Sequence, residues 1–198
     1  MLIFIAILMM IGAGGLLIYN NNEDARVVEG NQKAIEEIEN AIKKNNIDKS
    51  EELTDNDISE ITTNIGNNTK IEVQGNNYIG ILYIPSLNNL TIPIISEWSY
   101  PNLKISACRY SGNLENNNLV IAGHNYKSTF AKLFDLQEGS IAYFKSTNGL
   151  VYKYKLNKIE ILQPTDVGKM KRSDYDLTVF TCTYGGENRY TLRFLREI

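Results

Sequence analysis

The chain of 198 residues and 22.4 kDa has room for one folded domain and an appendage, not for several domains. Its formal net charge of −3, with 20 Lys and Arg against 23 Asp and Glu and no dense basic stripe, excludes nucleic-acid binding as the main function. Two cysteines, Cys108 and Cys182, and a single histidine, His124, allow at most one disulfide and exclude a histidine-rich metal site.

Residues 1–19 carry no charged side chain and consist mostly of Ile, Leu, Met, Ala and Gly, near the lower limit of length for a helix that crosses a bilayer. No Lys or Arg precedes this run, and Gly12-Ala13-Gly14-Gly15 is followed by more apolar residues, so an uncleaved anchor is expected rather than a cleaved signal peptide. The first basic residue, Arg26, lies after the run, so basic residues do not signal the orientation of the span. Residues 20–77 form a polar stalk rich in Asn, Glu, Asp and Lys. Within it Ala34, Ile35, Ile38, Ala41 and Ile42 recur at helical spacing, which predicts a short amphipathic helix with Asn31 as its N-cap. Residues 64–77, with several Asn and Gly, read as linker.

The folded domain is expected over residues 78–198. Residues 78–84 read as a strand closed by Pro85, which cannot donate to a sheet ladder. Residues 91–95 read as a second strand, interrupted by Pro93, and a loop with the only Trp, Trp98, follows. Residues 103–110 are a weaker strand holding Cys108, in the manner of a buried strand cysteine. Residues 119–123 form a strand that delivers His124, and residues 128–134 read as one or two helical turns. Residues 141–145 and 150–156 make a hairpin about Ser146-Thr147-Asn148-Gly149, residues 159–162 extend it, and a polar loop runs from 163 to 175. Many short strands with little helix predict an all-β barrel or sandwich.

The chemistry collects in the last hairpin. Residues 177–182 are β-branched, aromatic and apolar, residues 184–188 are turn chemistry, and from Arg189 onward Tyr190, Leu192 and Phe194 alternate against Arg189, Thr191 and Arg193. Cys182 ends one strand and Arg189 begins the next, so a thiol and a guanidinium meet across a short loop. A Cys, a His and an Arg suffice for thiol acyl transfer: the thiolate attacks, the imidazole moves protons and the guanidinium binds the oxyanion. Arg193 competes with Arg189 for that last role, since residues four apart on a strand share a face.

Thr178-Val179-Phe180-Thr181-Cys182 resembles the Thr-Leu-x-Thr-Cys signature of sortases, bacterial surface cysteine transpeptidases, with Val179 where Leu is usual. The resemblance extends to Tyr78-Ile79-Gly80-Ile81-Leu82-Tyr83-Ile84-Pro85, to Thr91-Ile92-Pro93-Ile94 and to Asn118-Leu119-Val120-Ile121-Ala122-Gly123-His124, in the family's order. It implies an eight-stranded β-barrel with short helices, preceded here by a transmembrane helix and a partly helical stalk. It implies Cys182 as nucleophile, His124 as acid and base, and Arg189, early on the strand after the cysteine, as oxyanion donor. Thr181 resembles the motif threonine, with a substrate-binding role or one in positioning Cys182.

The function that this resemblance implies is cleavage of a Leu-Pro-x-Thr-Gly-like sorting motif in secreted proteins, through a thioacyl enzyme. Transfer to an amine of a cell-wall precursor or of another protein would follow, on the outer face of the cell membrane. No second apolar span follows residue 198 and no lid segment is evident, so a class B or D type is expected over the pilin-polymerising class, with a housekeeping type also open. A hydrolase, in which water resolves the acyl enzyme, and a catalytically silent, membrane-tethered binding barrel are the alternatives. No cofactor is expected, and no loop has the pattern of an EF-hand calcium site.

Overall fold

The computed structural model describes residues 2–51, 70–172 and 174–197. Part of the expected linker, residues 64–69, lies outside the described residues.

Helix α1 runs without a break over Leu2–Glu51. The apolar run and the amphipathic segment are therefore one helix rather than an anchor and a separate short helix, and Asn31 is a buried mid-helix residue rather than a cap. No proline interrupts residues 2–51, and the stripe of Ala34, Ile38 and Ile42 extends back to the buried Val27, which gives the helix a packed face well before residue 34. The side chains of Ile3, Phe4, Met9, Met10, Leu16, Leu17 and Ile18 lie exposed, and this segment is long and apolar enough to cross a membrane.

Strands follow as β1 (Ile71–Val73), β2 (Asn76–Ile84), β3 (Leu90–Ile95), β4 (Ala107–Ser111), β5 (Leu119–Ala122), β6 (Ile141–Ser146), β7 (Val151–Leu162), β8 (Leu177–Cys182) and β9 (Arg189–Glu197). The sheet thus begins at Ile71, upstream of the expected Tyr78, because Ile71 and Val73 bury their side chains while Glu72 stays wet. β2 pairs with β3 on one side and with β6 on the other, and this closes the order β2-β3-β4-β5-β8-β9-β7-β6 into an eight-stranded barrel. β1 lies outside the ring, paired to the start of β2. The β3–β4 and β5–β8 pairs are parallel, and the rest are antiparallel. Closure leaves no open edge among the eight strands.

Gly80 permits that closure. Its φ of +154° follows a bulge in the β2–β3 register, and a Cβ there would sit 2.3 Å from the Lys145 carbonyl oxygen. Residues 159–162 continue β7 instead of forming a separate strand, with a second bulge between Leu156 and Lys158.

The barrel interior holds Leu82, Ile92, Ile94, Leu119, Ile121, Phe144, Tyr154, Val179, Leu192 and Phe194. A second apolar cluster covers part of the outer face: Ala34, Ile38 and Ile42 of α1 join Ile71, Val73, Tyr78, Ile81, Ile95, Cys108, Val120 and Phe180. β5 is therefore buried on both faces, which explains its unbroken apolar sequence. Polar ties fasten α1 to the barrel. Glu39 pairs with Lys145 at 2.5 Å, and Asp24 accepts both the backbone N–H of Ser128 at 3.1 Å and its hydroxyl at 2.5 Å. Short helices fill connections: α2 (Tyr100–Leu103), α3 (Val167–Met170) and two 3-10 turns at Pro85–Leu87 and Phe130–Asp135.

Candidate active site

Three strand ends meet at one rim of the barrel. In the antiparallel β8–β9 pair, Cys182 and Arg189 are direct partners, as are Thr178 and Arg193. In the parallel β5–β8 pair, Ala122 lies beside Phe180, and the Gly123 N–H continues the ladder to the Phe180 carbonyl at 3.1 Å. His124 follows Gly123 directly, at the same end of the β5–β8 pair as Cys182. The Thr181 hydroxyl donates to the Gly123 carbonyl at 2.9 Å, so the residue before the thiol is tied to the residue before the imidazole.

Gly123 has a steric task here. A Cβ on it would approach the ring of the buried Phe130 to 2.3 Å, so only glycine lets the chain turn past that ring towards His124.

His124, Cys182 and Arg189 line one pocket of about 270 Å³. Its apolar wall is Tyr110, Phe180 and Trp98: the Tyr110 ring meets Phe180 edge-on at 5.2 Å and Trp98 edge-on at 5.8 Å. The loop that carries α3 supplies more of the wall, through Gln163, Pro164, Val167 and Met170. Trp98, for which the sequence left a packing anchor and a substrate contact both open, stands partly exposed in this wall. No local pattern marked Tyr110 or the α3 loop as neighbours of Cys182; both reach it through non-local packing.

Burial pushes the His124 imidazole below its ordinary value of 6.5, with the Lys104 cation adding to the effect. The ring is therefore held neutral at neutral pH, a state that accepts a proton. Arg189 folds over its own loop, its Nη1 donating to the carbonyls of Gly186 and Asn188 at 3.1 Å each. Among the described residues its Nε and Nη2 have no partner, which leaves donors of the planar fork for a bound anion. Cys182 is partly exposed and unbridged. Cys108 is fully buried on β4 and also unbridged, its thiol pushed up to about 12 by burial.

Thr181, expected to bind substrate or to position Cys182, is 1% exposed with its hydroxyl engaged by the Gly123 carbonyl. Arg193 does share the outer face with Arg189, but it is buried and lies opposite Thr178 instead of at the thiol. Among the described residues no group of His, Cys, Asp and Glu is arranged to hold a metal ion.

The family model of the Sortase domain matches residues 82–195. Among solved structures, the chain resembles the sortase D5 transpeptidase of Clostridium perfringens at 18% identity and a TM-score of 0.62, over 86% of this chain and 99% of that one. It resembles sortase C of Streptococcus pneumoniae at 25% identity and a TM-score of 0.55, over 61% and 66% of the two chains. A lid mutant of sortase A from Corynebacterium diphtheriae matches at 21% identity and a TM-score of 0.52, over 61% and 70%. No curated protein matches the chain.

Proposed function

The chain belongs to the sortase family of cysteine transpeptidases, and from that premise we propose that Cys182 is its nucleophile, His124 its proton carrier and Arg189 its oxyanion donor. The observation that carries this reading is the pairing of Cys182 with Arg189 across the β8–β9 hairpin, with the β5 strand end bringing His124 to the same pocket.

The Cys182 thiol gives its proton to His124, and the resulting thiolate attacks the scissile carbonyl carbon of a sorting motif, a Leu-Pro-x-Thr-Gly-like peptide in a secreted protein. The Arg189 guanidinium takes up the charge that develops on the carbonyl oxygen. The C–N bond breaks, the departing amine takes a proton from His124, and a thioester remains on Cys182. An amine from a cell-wall precursor or another protein then attacks the thioester carbonyl. His124 accepts the proton of that amine, and the thiolate leaves. Thr181, through its hydrogen bond to Gly123, keeps the thiol and imidazole strands in register.

The apolar start of α1 anchors the enzyme in the cell membrane with the barrel outside, where secreted substrates arrive. Residues 1–19 serve as the anchor, and the rest of α1 belongs to the folded unit through its buried stripe. Hydrolysis is the second reading, since Cys182 is partly exposed and a water could replace the amine.

The test is incubation of residues 20–198 with a Leu-Pro-x-Thr-Gly-like peptide, with and without added oligoglycine. Mass spectrometry should find the acyl fragment on Cys182 and, with the amine present, a ligated product. Release of acid alone in the presence of amine favours the hydrolase. No adduct with any peptide of a sorting-motif library overturns the assignment of Cys182.

A further inference from the structure

Arg193 is placed by strand alternation on the outer face of β9, where an arginine is ordinarily solvated, yet none of its surface is exposed. Among the described residues it is the largest fully buried side chain. Burying a guanidinium is costly unless its donors are matched, and here they are. Nε donates to Glu160 Oε1 of β7 at 2.9 Å, and Nη1 donates to Thr178 Oγ1 of β8 at 2.9 Å. The other two bonds leave the barrel: Nη1 donates to the Met170 carbonyl at 2.9 Å and Nη2 to the Lys169 carbonyl at 2.6 Å.

Those two carbonyls end α3, a helix of four residues. One turn of helix has no stability of its own, and its last carbonyls lack partners within the helix. Two bonds from a single buried fork therefore fix where α3 sits on the barrel. α3 in turn carries Val167 and Met170 into the wall of the Cys182 pocket, with Met170 packed in the same cluster as Phe180. Arg193 itself does not line that pocket.

We propose that Arg193 is a positioning residue that holds the α3 wall of the pocket in place and so sets the affinity for the peptide, while the thiol and its neighbours work independently of it. This rests on the reading that the Cys182 pocket receives the peptide. Lysine is a poor replacement, because a point charge on a flexible stem cannot hold two carbonyls, a hydroxyl and a carboxylate in one plane.

The test uses Arg193→Lys, with Thr178→Val and Glu160→Gln as milder variants that each disturb one partner. Each is measured for peptide kcat and KM, for the rate at which iodoacetamide alkylates Cys182, and for folding by circular dichroism. Arg193→Lys should raise KM about tenfold or more, with Cys182 alkylation within about twofold of the parent and kcat changed less than KM. The milder variants should raise KM in the same direction by less, and they carry the test if Arg193→Lys does not fold. A folded Arg193→Lys with unchanged KM overturns the inference, as do milder variants that lose thermal stability but keep the parental KM. If the parent protein forms no adduct on Cys182, the pocket reading falls and this inference with it. A parental adduct alongside an unaltered Arg193→Lys KM removes the inference alone.

Discussion

Cys182 and Arg189 are cross-strand partners, the last residue of β8 facing the first of β9 across a loop of residues 183–188. Directly opposed residues in an antiparallel pair have Cβ atoms about 4.5–5.5 Å apart, so backbone pairing brings the two residues together, while the loop carbonyls of Gly186 and Asn188 hold the guanidinium. Arg193 lies four residues further along, about 13–14 Å at strand rise, opposite Thr178. Arg189→Lys should therefore lower single-turnover acylation of Cys182 by about 10²–10³, the usual cost of one oxyanion donor, with folding unchanged by circular dichroism. A variant that acylates like the parent would remove Arg189 from the oxyanion role.

The two cysteines should separate cleanly. Cys108 is fully buried and its thiol is pushed up to about 12, so it is almost wholly protonated at neutral pH. Cys182→Ala should abolish peptide capture, whereas Cys108→Ala should retain it. A peptide adduct found on Cys108 by mass spectrometry would reverse the assignment.

Acidification should act through His124. Its folded-state value is depressed below 6.5 by burial and by Lys104, whereas the unfolded chain titrates near the ordinary value. The unfolded state thus binds more protons between those two values, so the stability contribution of His124 is complete above 6.5 and is lost as pH falls towards the folded value. An NMR titration of His124 in Cys182→Ala should place its midpoint below 6.5, and a midpoint above it would contradict the environment described. The difference in stability between the parent and His124→Gln should change over that same interval of pH.

Truncation should distinguish the anchor from the packed part of α1. Removing residues 1–19 takes away an exposed apolar segment and should leave a soluble folded protein, as followed by size-exclusion chromatography and circular dichroism. Removing residues 1–77 strips Ala34, Ile38, Ile42, Ile71 and Val73 from the outer cluster and should leave an aggregating or less stable barrel. Ile38 has none of its surface exposed, so Ile38→Ala in residues 20–198 should cost about 2–5 kcal/mol by denaturant unfolding. A neutral result would mean that the helix does not pack on the barrel in solution.

Gly123→Ala tests the approach to His124. The added methyl would meet the Phe130 ring at 2.3 Å, and Phe130 is 1% exposed. Overpacking of this kind typically costs about 1–3 kcal/mol. The variant should melt lower and acylate more slowly than the parent, because the shift falls on the residue next to the imidazole. Parental melting and acylation would show that Phe130 yields more easily than its burial suggests.

The sequence by itself determined the pieces whose signals are local. Alternation and turn chemistry marked β8, its loop and β9, and with them the meeting of Cys182 and Arg189, because a short hairpin has few registers open to it. The apolar run before His124 marked β5, and the many short strands marked an all-β domain, which the closed eight-stranded barrel matches. Tertiary structure decided what depends on partners distant in the chain. His124 reaches Cys182 only through the parallel pairing of β5 with β8, whose partners Ala122 and Phe180 are far apart in sequence. α1 is one helix over Leu2–Glu51, and its polar-looking middle is read correctly only when the outer barrel face that buries Ala34 and Ile38 is present. Arg193 carries the same alternation signal as Arg189, yet one borders the thiol pocket and the other is buried. The difference is made by the α3 loop, which folds over β9 and brings two carbonyls that no local pattern announces.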